Sequence, residues 1–263
     1  MPKKLILLDA YALIYRAHFA FIKNPRINSK GLNTSAILGF CNSLLEVVNK
    51  FDPSHLAVVF DPPGGSDREG VFADYKANRQ EMPEDIRNAI PYIFELLKAM
   101  NIRIEMEQGY EADDVIGTLA KQAEKKGFTT YMMTPDKDFG QLVSENIFIY
   151  KPGRSGNPSE VLGPEEVCAK FEVENPLQVI DILGLWGDAV DNIPGVPGVG
   201  EKTAKKLISA YGSIETLIEN TADLKGKLKE NVENFAEQAI LSKQLATIIL
   251  DCPVEFDEAS FAK

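Results

Sequence analysis

The chain has 263 residues, enough to bury a sizeable core in one large or two unequal domains. A hydrophobic share of 44% fits a globular protein, and 39 acidic against 28 basic residues give a formal charge of −11, which argues against a polyanionic partner unless the acids are concentrated in one place. The first residues carry lysines and an apolar patch, but Asp9 interrupts it without a cleavage site, and no run approaches the roughly 18 apolar residues that span a bilayer, so neither a signal peptide nor a membrane span is expected.

In chain order, KLILLD (4–9) reads as a buried strand, SAILGFCNSLLEVVNKF (35–51) as an amphipathic helix and HLAVVFD (55–61) as a second strand. A polar, non-periodic segment at 64–85 follows, of a length that marks functional or mobile connections. Then come a helix from about Pro83 to Met100, a strand IRIEM (102–106), a helix from about Ala112 to Lys126 closed by Gly127, and a strand TTYMMT (129–134). Buried-type strands alternating with helices predict an α/β fold with a mostly parallel central sheet and flanking helices. From about Asn175 the pattern changes to helical segments joined by Pro- and Gly-rich turns, with a further helical stretch over 228–249 and a strand-like run only at DCPVEF (251–256). This predicts a boundary near 174, with an α/β core over 1–174 and a helical region over 175–263. Cys41, Cys168 and Cys252 are isolated, which argues against a zinc ribbon or disulfide framework and fits a reducing interior; a cytoplasmic location is expected.

Three strands end in acids: Asp9, Asp61, and Asp136 with Asp138. In an open parallel sheet, ligands bind beyond these carboxyl ends. Glu111, Asp113 and Asp114 open the helix that follows the strand at 102–106. Each acid alone is readily a helix cap or an Asx turn. Together they repel, by about 4 kcal/mol for two charges 4 Å apart at an effective dielectric of 20, so the cluster takes up protons or binds cations. Oxygen ligands without nearby His or Cys select Mg²⁺ or Mn²⁺, and a pair of such ions serves phosphodiester hydrolysis.

GVPGVGEKT (195–203) fails as a P-loop, because Glu201 rather than lysine follows Gly200 and no strand precedes it. As a helix–hairpin–helix turn it brings Gly195, Gly198, Gly200 and Thr203 close to a phosphate, with Lys202, Lys205 and Lys206 on the next helix suited to a duplex backbone. It would serve equally as a tight turn between packed helices. Asp188 and Asp191, just upstream, are spaced to face one way. Tyr15, Arg16, Tyr75, Lys76 and Arg79 suit base stacking and phosphate contact, or a solvated charged surface. Trp186 reads as core.

LLDAYALIYRA, VVFD, YKANR, GYEADDVIGTLA, TPDKDFGQL and GDAVDNIPGVPGVGEKTA, in this order over nearly the whole chain, resemble the 5′-nuclease (flap endonuclease) domain of bacterial DNA polymerase I. The resemblance implies a PIN-like core with a helix-three-turn-helix, and a structure-specific nuclease with two Mg²⁺ or Mn²⁺ ions. It assigns Asp9, Asp61, Glu111, Asp113, Asp114, Asp136, Asp138, Asp188 and Asp191 to the metals, and gives Lys76, Arg79, Asp114 and Asp136 catalytic roles. The arch, through or under which a free 5′ end passes, falls at 64–90 and includes Tyr75, Lys76 and Arg79. A K⁺ ion at the hairpin, a monomer acting on double-stranded DNA with a 5′ flap or nick, a nucleoid-associated location and a covalently linked polymerase domain are further implications. Two stretches depart from the family pattern: Asp67-Arg68-Glu69-Gly70 keeps only the arginine of its Phe-Arg-His-Glu, and Ala189 and Val190 replace two serines. Rival readings are a PIN-type RNA endonuclease and a junction-binding module without activity.

Overall fold

The structure, a computed structural model, describes residues 3–153 and 157–263. It opens with β1 (Lys4–Asp9), α1 (Ala10–Phe21), α2 (Ser35–Phe51) and β2 (His55–Val59), followed by a short α3 (Arg68–Val71), α4 (Glu84–Ala99), β3 (Arg103–Glu105), α5 (Ala112–Lys125) and β4 (Thr129–Met133). A 3₁₀ turn at Asp138–Leu142 leads to β5 (Ile147–Lys151), β6 (Glu160–Leu162) and α6 (Pro164–Phe171). The remainder is helical: α7 (Gln178–Trp186), α8 (Glu201–Tyr211), α9 (Ile214–Glu219), α10 (Gly226–Asn234), α11 (Ala236–Ala246) and α12 (Glu258–Phe261).

The six strands form one sheet in the order β3-β2-β1-β4-β5-β6, parallel except for β6. β1 is central, and the chain builds outward through β2 and β3 before crossing to β4 on the other side of β1. That reversal opens a crevice beyond the carboxyl ends of β1 and β4. Alternation along β1 divides the core. Leu5 and Leu7 pack with α5, α7 and α8, whereas Ile6 and Leu8 pack with α1, α2 and α4. The first cluster runs without interruption from the sheet into Val179, Ile182, Leu207, Ile214 and Phe256, so the helical region and one sheet face share an apolar interior.

Several elements differ from the sequence expectation. α1, β5, β6 and α6 lie outside it. α1 begins where Asp9 caps it, its Oδ1 accepting from the Ala12 amide at 3.2 Å. The segment at 64–85 contains α3 and a set of turns and packs against the site. The strand expected over 251–256 does not form. Instead the backbone there is taken up by side chains of α5 and its cap: Thr118 accepts from the Cys252 amide at 3.3 Å, Gln122 bonds Val254 and Phe256, and Lys126 donates to the Phe256 carbonyl at 2.6 Å.

Candidate active site

A crevice of about 1110 Å³ lies at the carboxyl ends of the strands. Seven of the nine expected ligands line it: Asp9, Asp61, Glu111, Asp113, Asp136, Asp138 and Asp191. Asp9 and Asp61 end their strand runs, and Asp61 accepts from the Ala112 amide at 3.0 Å, docking the start of α5 onto the end of β2. The Thr134 hydroxyl donates to Asp9 Oδ2 at 2.9 Å, tying the tip of β4 to that of β1. Asp136 Oδ1 accepts from the Asp138 amide at 3.0 Å, an Asx turn that sets the two carboxylates side by side.

Crowded acids in a recess should resist ionisation, and these do. Burial and then Asp61 push Asp9 up to about 7. Burial and then Asp136 push Asp138 up to about 7. Asp113 is raised well above the usual carboxylate range by burial and by Asp114 and Glu111. Glu111 goes the other way: burial opposes its charge, but Lys76 and Arg68 outweigh it.

Asp114 corrects the sequence expectation. It is fully buried, facing away from the crevice, and both its oxygens are committed. Arg68 Nη1 and Nη2 donate to it at 2.6 and 2.7 Å, and the Glu111 and Ile249 amides donate at 3.1 and 2.8 Å. No lone pair is directed at the site. Asp188 is also outside the crevice lining and pairs with Lys137.

Among the described residues, no three His, Cys, Asp or Glu side chains approach closely enough to grip one ion together. Basic side chains stand between the acids. Lys76 Nζ is 2.6 Å from Glu111 and 3.9 Å from Asp191, Arg79 donates to Asp191 at 2.5 Å, and Lys137 bridges Asp138 and Asp188. These cations reach in on long stems, so rotamer changes can release the oxygens. Asp138 Oδ1 is buried without a hydrogen bond. A recess of desolvated, mutually repelling oxygens fits hard divalent cations.

Lys76 and Arg79 are held in place by reciprocal stitching to the turn after α7. Lys76 adopts a left-handed φ of 56°, and its amide donates to the Asp191 carbonyl at 2.9 Å. Asn78 donates to the Ala189 carbonyl and Asn192 to the Asp74 carbonyl, each at 2.6 Å. Tyr75, expected to stack on a base, is instead 4% exposed, and its hydroxyl donates to Glu111 at 3.2 Å. Arg16 is likewise engaged internally, donating to the carbonyls of Pro152 and Gly153. Tyr15 lines the crevice. Sequence reasoning missed Ser66, Arg68, Thr134 and Lys137 as parts of the site. Two of them carried a visible signal: Lys137, a lysine between two acids, and Arg68, the residue kept from the family's Phe-Arg-His-Glu.

At the hairpin, Gly195 and Gly198 have φ of 60° and 78°. A Cβ on Gly195 would lie 2.5 Å from the Gly187 nitrogen and 2.7 Å from the Trp186 carbonyl carbon. Gly195→Ala is therefore expected to cost about 1–3 kcal/mol from backbone strain alone, read as a lowered urea midpoint; an unchanged midpoint would show that the turn relaxes freely. Gly200 caps α8, on which Lys202 and Lys206 are exposed and Thr203 is half-buried. Lys205 is occupied, 2.8 Å from Glu201 and 2.8 Å from the Lys170 carbonyl. Trp186 is partly buried against the core with Lys137 Nζ 5.5 Å from its ring.

Residues 4–172 match the family model for the 5′-3′ exonuclease N-terminal resolvase-like domain, and 174–263 match the C-terminal SAM fold of the same enzymes. The chain belongs to the 5′-3′ exonuclease family. A 5′-3′ exonuclease of Aquifex aeolicus is 40% identical over 256 residues, covering 97% of this chain and 85% of that one. DNA polymerase I of Bacillus subtilis is 45% identical over 96% of this chain, which spans 28% of the polymerase. Among solved structures, phage T5 5′-exonuclease with bound zinc superposes with a TM-score of 0.77 at 19% identity, over 93% of this chain and 89% of that one. The Rad2 catalytic core with DNA superposes with a TM-score of 0.62 at 17% identity, over 95% and 81%. These two likenesses establish the shared fold of this exonuclease family member.

The raised carboxyls make the metal-free exonuclease fold pH-sensitive. Asp9 and Asp138 rise from 3.8 unfolded to about 7 folded, so between these values the folded state binds more protons. Their stabilising contribution is complete below about pH 4 and is lost as pH rises through about 7. Glu111 and Asp188 are depressed from 4.5 and 3.8, so their opposing effect falls below that window. In EDTA, the urea midpoint is expected to be higher at about pH 5.5 than at about pH 8; equal midpoints would contradict the protonation of the crevice.

Proposed function

We propose that the chain hydrolyses DNA phosphodiesters near the junction of a 5′ single strand and a duplex, acting as a flap endonuclease and a 5′ to 3′ exonuclease. The observation that carries this reading is the meeting of seven carboxylates with Lys76 and Arg79 on one crevice. Asp9, Asp61, Glu111, Asp113, Asp136 and Asp138 would hold two Mg²⁺ or Mn²⁺ ions, with Asp191, and Asp188 once Lys137 withdraws, on the far side. Asp114 takes no part. Bound ions of this kind supply an activated water and stabilise the leaving oxygen.

The chain's own residues do the rest. Lys76 and Arg79, released from Glu111 and Asp191 by an incoming phosphate, neutralise its non-bridging oxygens and fix its position. Tyr15 offers a ring at the crevice for the neighbouring base. The exposed Lys202 and Lys206, with the hairpin amides, contact duplex phosphates without reading sequence. A K⁺ ion at the hairpin belongs to the proposal too. The Gly195, Val196 and Pro197 carbonyls each accept one internal hydrogen bond, leaving a lone pair each. The natural partner is nicked or flapped DNA, handled by a monomer in the nucleoid, and the lengths of the polymerase relatives support a polymerase domain on the same natural chain.

A 5′-labelled flap duplex decides the matter. It should be cut near its junction with Mg²⁺ or Mn²⁺ and left intact in EDTA. Cleavage of single-stranded RNA with the flap ignored would favour an RNA endonuclease, and binding without cutting would favour a junction-binding module.

A further inference from the structure

We propose that Gln141 is a positioning residue for the reaction just described, setting the acids on β4's side of the crevice against those at the start of α5 by clamping both to the 245–249 segment. The inference rests on the nuclease reading above.

Gln141 is 4% exposed, in the 3₁₀ turn that Asp138 opens. Its side-chain amide donates to the Asp138 carbonyl at 3.0 Å and to the Ala246 carbonyl at 2.9 Å, while its oxygen accepts from the Ile248 amide at 2.9 Å. All of these bonds are made to backbone groups. The chain from Leu245 to Ile249, which leaves the end of α11, is held from the other side by the first turn of α5 and by α3. Asp114 accepts from the Ile249 amide at 2.8 Å, and Arg68 donates to the Leu245 and Thr247 carbonyls at 3.2 and 2.9 Å. One irregular segment therefore serves as the common anchor for the 111–114 acids and the 136–138 acids.

Asp138 needs such an anchor. Its Oδ1 is buried without a hydrogen bond, and among the described residues its one ion-pair partner is Lys137, its neighbour in sequence, with Nζ 3.3 Å from that oxygen. Side-chain contacts hold this carboxylate weakly, so its aim depends on the peptide that carries it. Gln141 pins that peptide. Productive metal and catalytic geometry tolerates errors of only about 0.5 Å, so a loosened peptide should be felt at the site. The segment also reaches the hairpin, since α11 supplies Ser242 to the Gly195 amide at 3.0 Å and Gln238 to its carbonyl at 2.7 Å.

Gln141→Met keeps the volume and removes all three bonds. Gln141→Glu keeps the acceptor for Ile248 and turns an oxygen, in place of the amide donor, toward the Asp138 and Ala246 carbonyls. With either variant, on the flap substrate, KM should stay within about twofold and kcat should fall roughly 10–100-fold. Mn²⁺ affinity, measured by calorimetry on the DNA-free protein, should weaken about 10-fold, and excess Mn²⁺ should restore part of the rate. A purely structural role would lower stability without a rate that metal rescues. If wild type cuts and both variants keep its kcat and Mn²⁺ affinity, or lose rate at unchanged Mn²⁺ affinity, the positioning role is overturned. A wild-type chain that neither binds Mn²⁺ nor cuts would sink the nuclease reading and this proposal with it.

Discussion

Asp114→Ala is expected to lower the unfolding free energy by about 3–5 kcal/mol, because it leaves a buried guanidinium without its partner. Arg68 is 7% exposed, and its next carboxylate, Glu111, lies 3.5 Å away, already shared with Ser66, Tyr75 and Lys76. The substitution also strands the Ile249 and Glu111 amides. Against the roughly 5–15 kcal/mol by which a domain of this kind is stable, such a loss leaves little margin at 37 °C. Asp136, which lines the crevice beyond the end of β4, is exposed and should behave in the opposite manner. Asp136→Asn is expected to leave stability within about 0.5 kcal/mol and to lose cleavage. Urea titration of the two variants side by side separates the roles. The double variant Arg68→Met with Asp114→Ala should recover part of the loss, since the uncompensated charge is gone. An Asp114→Ala protein with a wild-type midpoint and no Mn²⁺ uptake would return Asp114 to the ligand set.

Asp113 and Asp114 show where sequence reasoning stops. The apolar runs ending in Asp9, Asp61 and Asp136 are legible because a buried parallel strand must be apolar throughout, and an acid at its end has few places to go but the sheet edge. Successive residues on a helix, however, point about 100° apart. One of the pair faces the crevice and the other faces the 245–249 segment, a distinction that depends on docking and leaves no local pattern. Tyr75 sits in a polar run, and its burial depends on Glu111, 36 residues later. The segment after α11 is illegible for a related reason: its backbone partners are Asp114, Thr118, Gln122 and Lys126, a four-residue spacing that marks one face of α5 only once the partner is known. β5 is different. IFIYK was open to reading as a strand from its β-branched and aromatic content alone.

Lys76→Met should separate metal binding from catalysis, lowering kcat on the flap substrate by about 10²–10³ while tightening Mn²⁺ binding. Lys76 Nζ lies 2.6 Å from Glu111 and 3.9 Å from Asp191, and among the described residues it is the one cation within 4 Å of both acids. Burial disfavours its charge, yet Glu111 and Asp191 outweigh that and raise its pKa, so it stays cationic throughout the working range. A tethered ammonium at that distance competes with a divalent ion for Glu111. Its removal is expected to strengthen Mn²⁺ uptake by roughly 10-fold, an effect well below the bare Coulomb figure because the head group is partly solvated. The same removal leaves the reacting phosphate with Arg79 as its one remaining partner of the pair, and the rate falls although more metal is bound. The methionine fills the space of the lysine stem, and the backbone bond from residue 76 to the Asp191 carbonyl does not depend on the side chain, so the arch should keep its place. Calorimetry and single-turnover cleavage on one preparation read both effects. Weaker Mn²⁺ binding in Lys76→Met would mean that the lysine orders Glu111 for the ion instead of competing with it.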